Sequence, residues 1–246
     1  KKPVVFYGTS ILQGGCASRP GMAHTNILER WLNRECINLG FSGNALLDLE
    51  IAYVMAGVDA SVFVLDFVPN AGVEQIKERA GEFYSIIRSK HPDTPVLFVE
   101  DPIFTHSRFN RTVAREVKNK NETLQAVFRS LKKRGEKNIY LLSSEDIIGH
   151  DGEATVDGVH FTDLGFMRYA KVLYPVLKDV PVVNMILPEP AQNQDASASK
   201  EYDNLTEANA RIKELESQLA ANKNAGSANQ SEAVSYTHLT LPTKRI

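Results

Sequence analysis

The sequence alternates short apolar runs with segments of helical periodicity, and this alternation limits the fold more than any other feature. Five runs predict strands, at residues 4–7, 36–40, 61–67, 95–101 and 138–143. Between them, apolar residues recur every three or four positions, which predicts amphipathic helices. The run SVFVLDF at 61–67 is apolar at nearly every position. It therefore predicts a central strand of a parallel sheet that helices cover on both faces.

The order of these elements predicts the architecture. Strands that alternate with helices indicate a three-layer α/β/α sandwich with a five-stranded, mostly parallel sheet. Right-handed crossovers leave few topologies open. We expect the flavodoxin-like order 2-1-3-4-5, because it places the carboxyl ends of the first three strands side by side. With 246 residues, of which 43% are hydrophobic, the chain is long enough to bury the core of one such domain.

Changes in composition divide the chain into segments. The strand and helix pattern of residues 1–181 predicts one α/β domain, whereas the mostly polar composition of residues 182–203 predicts a flexible linker. Apolar residues at heptad positions predict a short helix at 204–222, which would self-associate weakly as a coiled coil of about two heptads or remain a marginal lone helix. Residues 223–246 predict a disordered tail. Within it, 235–246 resemble translated vector sequence and not natural protein.

Composition and motifs argue against several classes of function. The formal charge of -2 does not favour nucleic acid as a partner, and no apolar run approaches the length of a membrane span. Neither a dinucleotide fingerprint nor a phosphate-binding loop occurs. Cys16 and Cys36 lack the spacing of a zinc site, and we expect neither a metal nor a cofactor. Because the chain opens directly on a strand, we expect the complete protein to have residues before Lys1, including any export signal.

Polar residues lie at positions where an α/β sheet binds ligands. Ser10 follows the first strand, Gly43 the second and Asn70 the third. Asp157 and His160 are three residues apart, just before the last helix. Because the carboxyl ends of parallel strands meet at one edge of the sheet, we expect these residues to converge there. Taken singly, each also fits an ordinary role in a turn, a helix cap or a solvated loop.

The order of these residues resembles the SGNH hydrolase superfamily, also called GDSL esterases and lipases. Its first three blocks are matched by Gly8-Thr9-Ser10, Ser42-Gly43-Asn44 and Pro69-Asn70, and its fifth by Asp157-Gly158-Val159-His160. The resemblance spans most of residues 4–180. Thr9 replaces the usual aspartate, and block three reads Asp-Phe-Val-Pro-Asn in place of the commoner Gly-x-Asn-Asp. Both departures resemble a bacterial branch of the superfamily that is found in Bacteroidetes.

The resemblance implies a role for each residue. Ser10 would be the nucleophile, His160 the general base and then the general acid, and Asp157 the residue that orients the imidazole. The backbone N–H groups of Ser10 and Gly43 and the side-chain amide of Asn70 would form the oxyanion hole. An acyl-transfer site needs these parts, and the sequence contains all of them.

We therefore expect a metal-independent serine esterase that forms an acyl-enzyme on Ser10. Its substrate would be a small carboxylic ester, such as an O-acetyl group on a carbohydrate. His106 is an additional candidate for the substrate cleft. The alternative is a catalytically weak carbohydrate-binding or scaffold protein that retains the fold. The resemblance also implies a periplasmic or secreted location.

Overall fold

A parallel sheet of five strands forms the centre of the structure, a computed structural model that describes residues 1–178. The strands are β1 (Val4–Gly8), β2 (Cys36–Gly40), β3 (Val62–Asp66), β4 (Val96–Val99) and β5 (Ile139–Leu142). Their order is β2-β1-β3-β4-β5, and every neighbouring pair is parallel. The predicted fold class and strand order are confirmed.

Helices cover both faces of this sheet. They are α1 (Ser10–Gln13), α2 (His24–Leu32), α3 (Leu49–Ala56), α4 (Val73–Lys90), α5 (Arg111–Lys133) and α6 (Asp163–Lys178). Helix α2 packs against α6, while α4 packs against both α3 and α5. One layer is therefore built around α2 and α6, and the other around α3, α4 and α5.

The alternation of side chains along β1 explains why both layers have an apolar core. Val4 and Phe6 belong to the cluster beneath α2 and α6, whereas Val5 and Tyr7 belong to the cluster beneath α3 and α4. All four are fully buried. Burial of a side chain of this kind contributes roughly 1.5–3 kcal/mol, so a strand that is apolar at each position is most stable in the interior of the sheet.

Two helical segments differ from the prediction. Residues 12–22 are rich in glycine and predict a loop, but α1 begins at Ser10 and a 3₁₀ turn covers Pro20–Met22. The Thr9 hydroxyl accepts a hydrogen bond of 3.3 Å from the Ile11 N–H and so caps α1. Helical periodicity could not reveal α1, because one turn contains no repeat of apolar residues.

The apolar residues of 45–57 predict a helix whose apolar side includes Leu47 and Val54, but helix α3 is shorter and buries a different face. Leu47 has a φ of 62°, a left-handed conformation that prevents the helix from extending back through it. The buried residues of α3 are Ala52 and Met55, whereas Val54, which was expected on the buried side, is 58% exposed. Packing against α4 decides this face, because nearly the whole segment is apolar.

The predicted linker at 182–203, the helix at 204–222 and the tail at 223–246 all lie outside the described residues. Within residues 1–178, no helix combines the length and the apolar character that crossing a bilayer requires.

Candidate active site

Ser10 lies at the carboxyl edge of the sheet because a tight turn links β1 directly to α1. Strand β1 ends at Gly8, and a Cβ atom there would lie 2.6 Å from the carbonyl oxygen of Asp66 on β3 and 3.0 Å from Leu12. Only glycine permits this close approach of two strands and a helix. Thr9 then caps α1, and Ser10 is its first residue. The turn leaves the Ser10 side chain facing a cleft at the edge of the sheet.

Ser10, His160 and Asp157 form one chain of hydrogen bonds. Ser10 Oγ lies 2.9 Å from His160 Nε2, and His160 Nδ1 lies 2.7 Å from Asp157 Oδ2. An ionised carboxylate can only accept, so Nδ1 carries the proton that it donates to Asp157. In the neutral imidazole, Nε2 is then the acceptor for the hydrogen bond of the Ser10 hydroxyl. This arrangement suits removal of the hydroxyl proton by the imidazole.

The backbone around Asp157 fixes the orientation of its carboxylate. Asp157 Oδ1 accepts hydrogen bonds from the backbone N–H groups of Val159 at 3.0 Å and His160 at 2.7 Å, while Oδ2 faces the imidazole. Gly158, which lies between Asp157 and Val159 in the sequence, has a φ of 89°, and this conformation closes the turn. Partial burial alone would raise the pKa of Asp157, but the hydrogen bonds from His160 and Val159 outweigh it and lower the pKa to about 2. Asp157 is therefore charged at neutral pH.

Gly43 and Asn70 lie in the same cleft as Ser10, so the structure brings together all the residues that the sequence singled out. Gly43 has a φ of 68°, and a Cβ atom there would meet nothing within 4 Å. Glycine is therefore favoured by the backbone conformation and not by lack of space. Asn70 Oδ1 accepts a hydrogen bond of 3.3 Å from the Ala45 N–H, and Nδ2 is the atom that remains for a ligand. Asn70 thus also ties the loop after β3 to the loop after β2.

The cleft has a volume of about 390 Å³ and a mixed lining. His106, the additional cleft candidate, lines it. Its backbone N–H donates a hydrogen bond of 3.1 Å to the carbonyl oxygen of Gly158, so the segment that contains His106 is attached to the Asp157–His160 turn. A groove of about 670 Å³ lies between α4 and α5, but it contains none of the predicted site residues.

Sequence reasoning missed a second group of charged side chains in the cleft. These are Asp101, which follows β4, and Glu116 and Lys120 on α5. The position of Asp101 at the carboxyl end of a predicted strand was a usable signal. No comparable signal marked Glu116 or Lys120, because charged residues on a helix are usually solvated. Among residues 1–178, no cluster of three or more His, Cys, Asp or Glu side chains is arranged to hold a metal ion.

Comparison with solved structures shows related proteins. A protein from Bacteroides ovatus described as a GDSL-like lipase is 41% identical with a TM-score of 0.70, over 72% of this chain and 52% of that chain. A salicylyl-acyltransferase from a tetracycline biosynthetic pathway is 20% identical with a TM-score of 0.64, over 74% of this chain and 57% of that one. A family two carbohydrate esterase from Clostridium thermocellum, in complex with cellohexaose, is 16% identical with a TM-score of 0.57, over 72% of this chain and 64% of that one.

These similarities carry different weight. The second and third proteins are so distant in sequence that they show only a shared fold. The chain spans between 52% and 64% of the length of the three matched proteins. No protein of curated function matches the sequence significantly. The sequence model of the GDSL-like Lipase/Acylhydrolase family, however, matches residues 1–178, the whole of the described domain. The chain therefore belongs to the GDSL-like lipase/acylhydrolase family.

Proposed function

We propose that this chain is a metal-independent serine esterase that hydrolyses small carboxylic esters through an acyl-enzyme on Ser10. The observation that carries the proposal is the continuous chain of hydrogen bonds from Ser10 through His160 to Asp157, with distances of 2.9 and 2.7 Å. Membership of an acylhydrolase family supports the same reaction class.

The first half of the reaction forms the acyl-enzyme. His160 Nε2 removes the proton of the Ser10 hydroxyl as Oγ attacks the ester carbonyl carbon, and the charged Asp157 stabilises the imidazolium. The carbonyl oxygen becomes an oxyanion, which receives hydrogen bonds from the backbone N–H groups of Ser10 and Gly43 and from Asn70 Nδ2. The tetrahedral intermediate then expels the alcohol oxygen. His160 Nε2 protonates that oxygen as the bond to carbon breaks.

The second half consumes one water molecule. His160 Nε2 takes a proton from water while the water oxygen attacks the acyl carbon. The same N–H donors stabilise the second oxyanion. When the intermediate collapses, the bond between the acyl carbon and Ser10 Oγ breaks, and His160 returns the proton to Oγ. The products are a carboxylic acid and the free enzyme.

We propose an acylated carbohydrate, such as one with O-acetyl groups, as the substrate. A cleft of about 390 Å³ is at the small end of ligand-binding pockets, which favours a short acyl group. Its mixed lining includes the polar side chains of Asp101, Glu116 and Lys120, which suit a hydroxyl-bearing alcohol. The carbohydrate esterase that shares the fold binds cellohexaose.

Hydrolysis of p-nitrophenyl acetate tests the reaction class. The full chain should turn the ester over, and Ser10→Ala should reduce kcat to near the background rate, since removal of the nucleophile leaves only binding and the oxyanion hole. Ser85→Ala, which changes a serine on α4 that is bonded to the Gly81 carbonyl, is the matched control and should retain full activity. Equal rates for the full chain and Ser10→Ala would refute the esterase. They would favour the carbohydrate-binding or scaffold alternative.

A further inference from the structure

A second polar group faces the active-site cleft at a distance from Ser10. Asp101 is the second residue after β4, while Glu116 and Lys120 are one turn apart on α5. Strand β4 is two positions from β1 in the sheet. Because neighbouring strands are about 4.8 Å apart, Asp101 lies roughly 10 Å from the strand end that carries Ser10. One cleft thus contains both the reacting residues and a separate polar group about one sugar ring away.

Asp101 is buried with an unused hydrogen-bonding atom. It is 1% exposed, and within residues 1–178 its Oδ1 atom has no hydrogen-bond partner. Its backbone, by contrast, is held firmly. The Asn121 side chain accepts a hydrogen bond of 2.7 Å from the Asp101 N–H and donates one of 2.9 Å to its carbonyl oxygen. A buried carboxyl oxygen without a partner costs stability, and a ligand that donates a hydrogen bond from the cleft would remove this cost.

Lys120 is also buried and has donor capacity to spare. Its side chain is 9% exposed, and Nζ lies 3.1 Å from Glu116 Oε1 and 3.3 Å from the carbonyl oxygen of Pro69. An ammonium group carries three N–H donors, so one remains for a ligand. Because the charge of Lys120 is already balanced by Glu116, an anionic ligand gains little here. A neutral group that accepts one hydrogen bond and donates another fits better.

The protonation state of Asp101 also favours a neutral ligand that both donates and accepts hydrogen bonds. The pKa of Asp101 is raised to about 8. Burial is the largest cause, Lys120 opposes it, and the nearby Asp66 and Glu116 add to the increase. The carboxyl group is therefore largely neutral near pH 7. In that state it can both donate and accept hydrogen bonds, as can the hydroxyl groups of a sugar.

We propose that Asp101 and Lys120 form a subsite that binds neighbouring hydroxyl groups of a sugar ring in the alcohol part of the substrate. One hydroxyl accepts a hydrogen bond from Lys120 Nζ, and the next donates to the carboxyl group of Asp101. These residues determine specificity and take no part in the bond-breaking steps. The inference rests on the proposed ester hydrolysis at Ser10, and it adds which side chains select the alcohol.

A comparison of two classes of ester tests the subsite. The first is a panel of methyl glycosides of glucose, mannose and xylose, each with one O-acetyl group. The second is p-nitrophenyl acetate, which has no hydroxyl group. The quantity compared is kcat/KM for the best sugar ester divided by kcat/KM for p-nitrophenyl acetate. We expect Asp101→Ala and Lys120→Met each to lower this ratio by about 10- to 100-fold, since a hydrogen bond to a charged or buried group is lost. Lys118→Met is the matched control, because Lys118 is 72% exposed on the same helix and does not line this cleft. It should keep the ratio of the unmodified chain.

A binding measurement separates failure of the subsite from failure of the esterase. Ser10→Ala, titrated with the same methyl glycosides without acetyl groups and followed by NMR, should bind one of them, and adding Lys120→Met should weaken that binding about tenfold or more. An unaltered ratio in both cleft variants, or binding that Lys120→Met leaves unchanged, would overturn the subsite. If the full chain hydrolyses neither class of ester, the proposed function fails, and the titration alone decides whether the subsite exists.

Discussion

Asn70 allows the oxyanion hole to be tested separately from the stability of the fold, because its two side-chain atoms have different partners. Oδ1 accepts a hydrogen bond from the Ala45 N–H at 3.3 Å, and Nδ2 is assigned to the oxyanion. Asn70→Ala removes both interactions. Asn70→Asp keeps an acceptor for Ala45 but has no N–H to donate. The two variants should therefore have different stability and similarly impaired catalysis.

The expected magnitudes follow from these contacts. Ala45 is fully buried, so loss of the acceptor in Asn70→Ala leaves a buried N–H unsatisfied, at a cost of about 1–3 kcal/mol. Each kcal/mol lowers the melting temperature of a domain of this size by roughly 2–4 °C. Asn70→Asp avoids this penalty and should melt close to the unmodified chain. Loss of one oxyanion donor lowers kcat by about 10²- to 10³-fold, and the negative charge of Asp should make the loss at least as large.

The assay combines turnover of p-nitrophenyl acetate with thermal melting followed by circular dichroism. We expect Asn70→Asp to lower kcat with little change in KM or melting temperature, and Asn70→Ala to lower both kcat and the melting temperature. Asn119→Asp controls for the added charge, since Asn119 is an exposed residue on α5 that does not line the active-site cleft. If Asn70→Asp keeps the kcat of the unmodified chain, Asn70 is a structural turn residue. The oxyanion would then be bound by the backbone N–H groups of Ser10 and Gly43 alone.

Three further predictions concern other parts of the structure. Asp157→Asn should lower kcat by about 10⁴-fold in the same assay with little loss of stability, because the new amide donates to His160 Nδ1 and leaves the proton on Nε2, which then cannot accept from Ser10; an unchanged kcat would contradict this tautomer argument. Burial raises the pKa of Asp66 from 3.8 to about 7 even though Tyr169 donates a hydrogen bond to it, so the folded chain holds a proton that the unfolded chain releases. The free energy of unfolding should therefore fall as pH rises from about 4 to 7. Asp66→Asn lacks this titration, so between pH 5 and pH 8 its free energy of unfolding in urea should rise by about 2–3 kcal/mol relative to that of the unmodified chain. Parallel pH profiles of the two chains would refute this. Finally, a chain that ends at residue 181 should keep its esterase activity, and a loss of activity on trimming would assign a role in the site to the residues that follow.

The sequence was sufficient for the architecture and for the residues that converge at the site. Strand order followed from the alternation of strands and helices, because parallel strands joined by right-handed crossovers leave few arrangements. Ser10, Gly43 and Asn70 lie two, three and four residues after the ends of β1, β2 and β3, so their meeting at one edge follows from the direction of the strands. The catalytic roles assigned to these residues stay predictions until the variants are measured.

The tertiary structure decided what depends on the packing of segments that are distant in sequence. The buried face of α3 is set by its contact with α4, and its nearly uniform apolar composition could not indicate that face. The second function of Asn70 arises because the loops after β2 and β3 touch, which brings the Ala45 N–H to Oδ1. Asp101 and Lys120 share one cleft only because α5 packs against the segment after β4, where Asn121 binds the Asp101 backbone. Local sequence patterns report the periodicity of one segment, whereas burial and hydrogen-bond partners depend on which segments the fold places together.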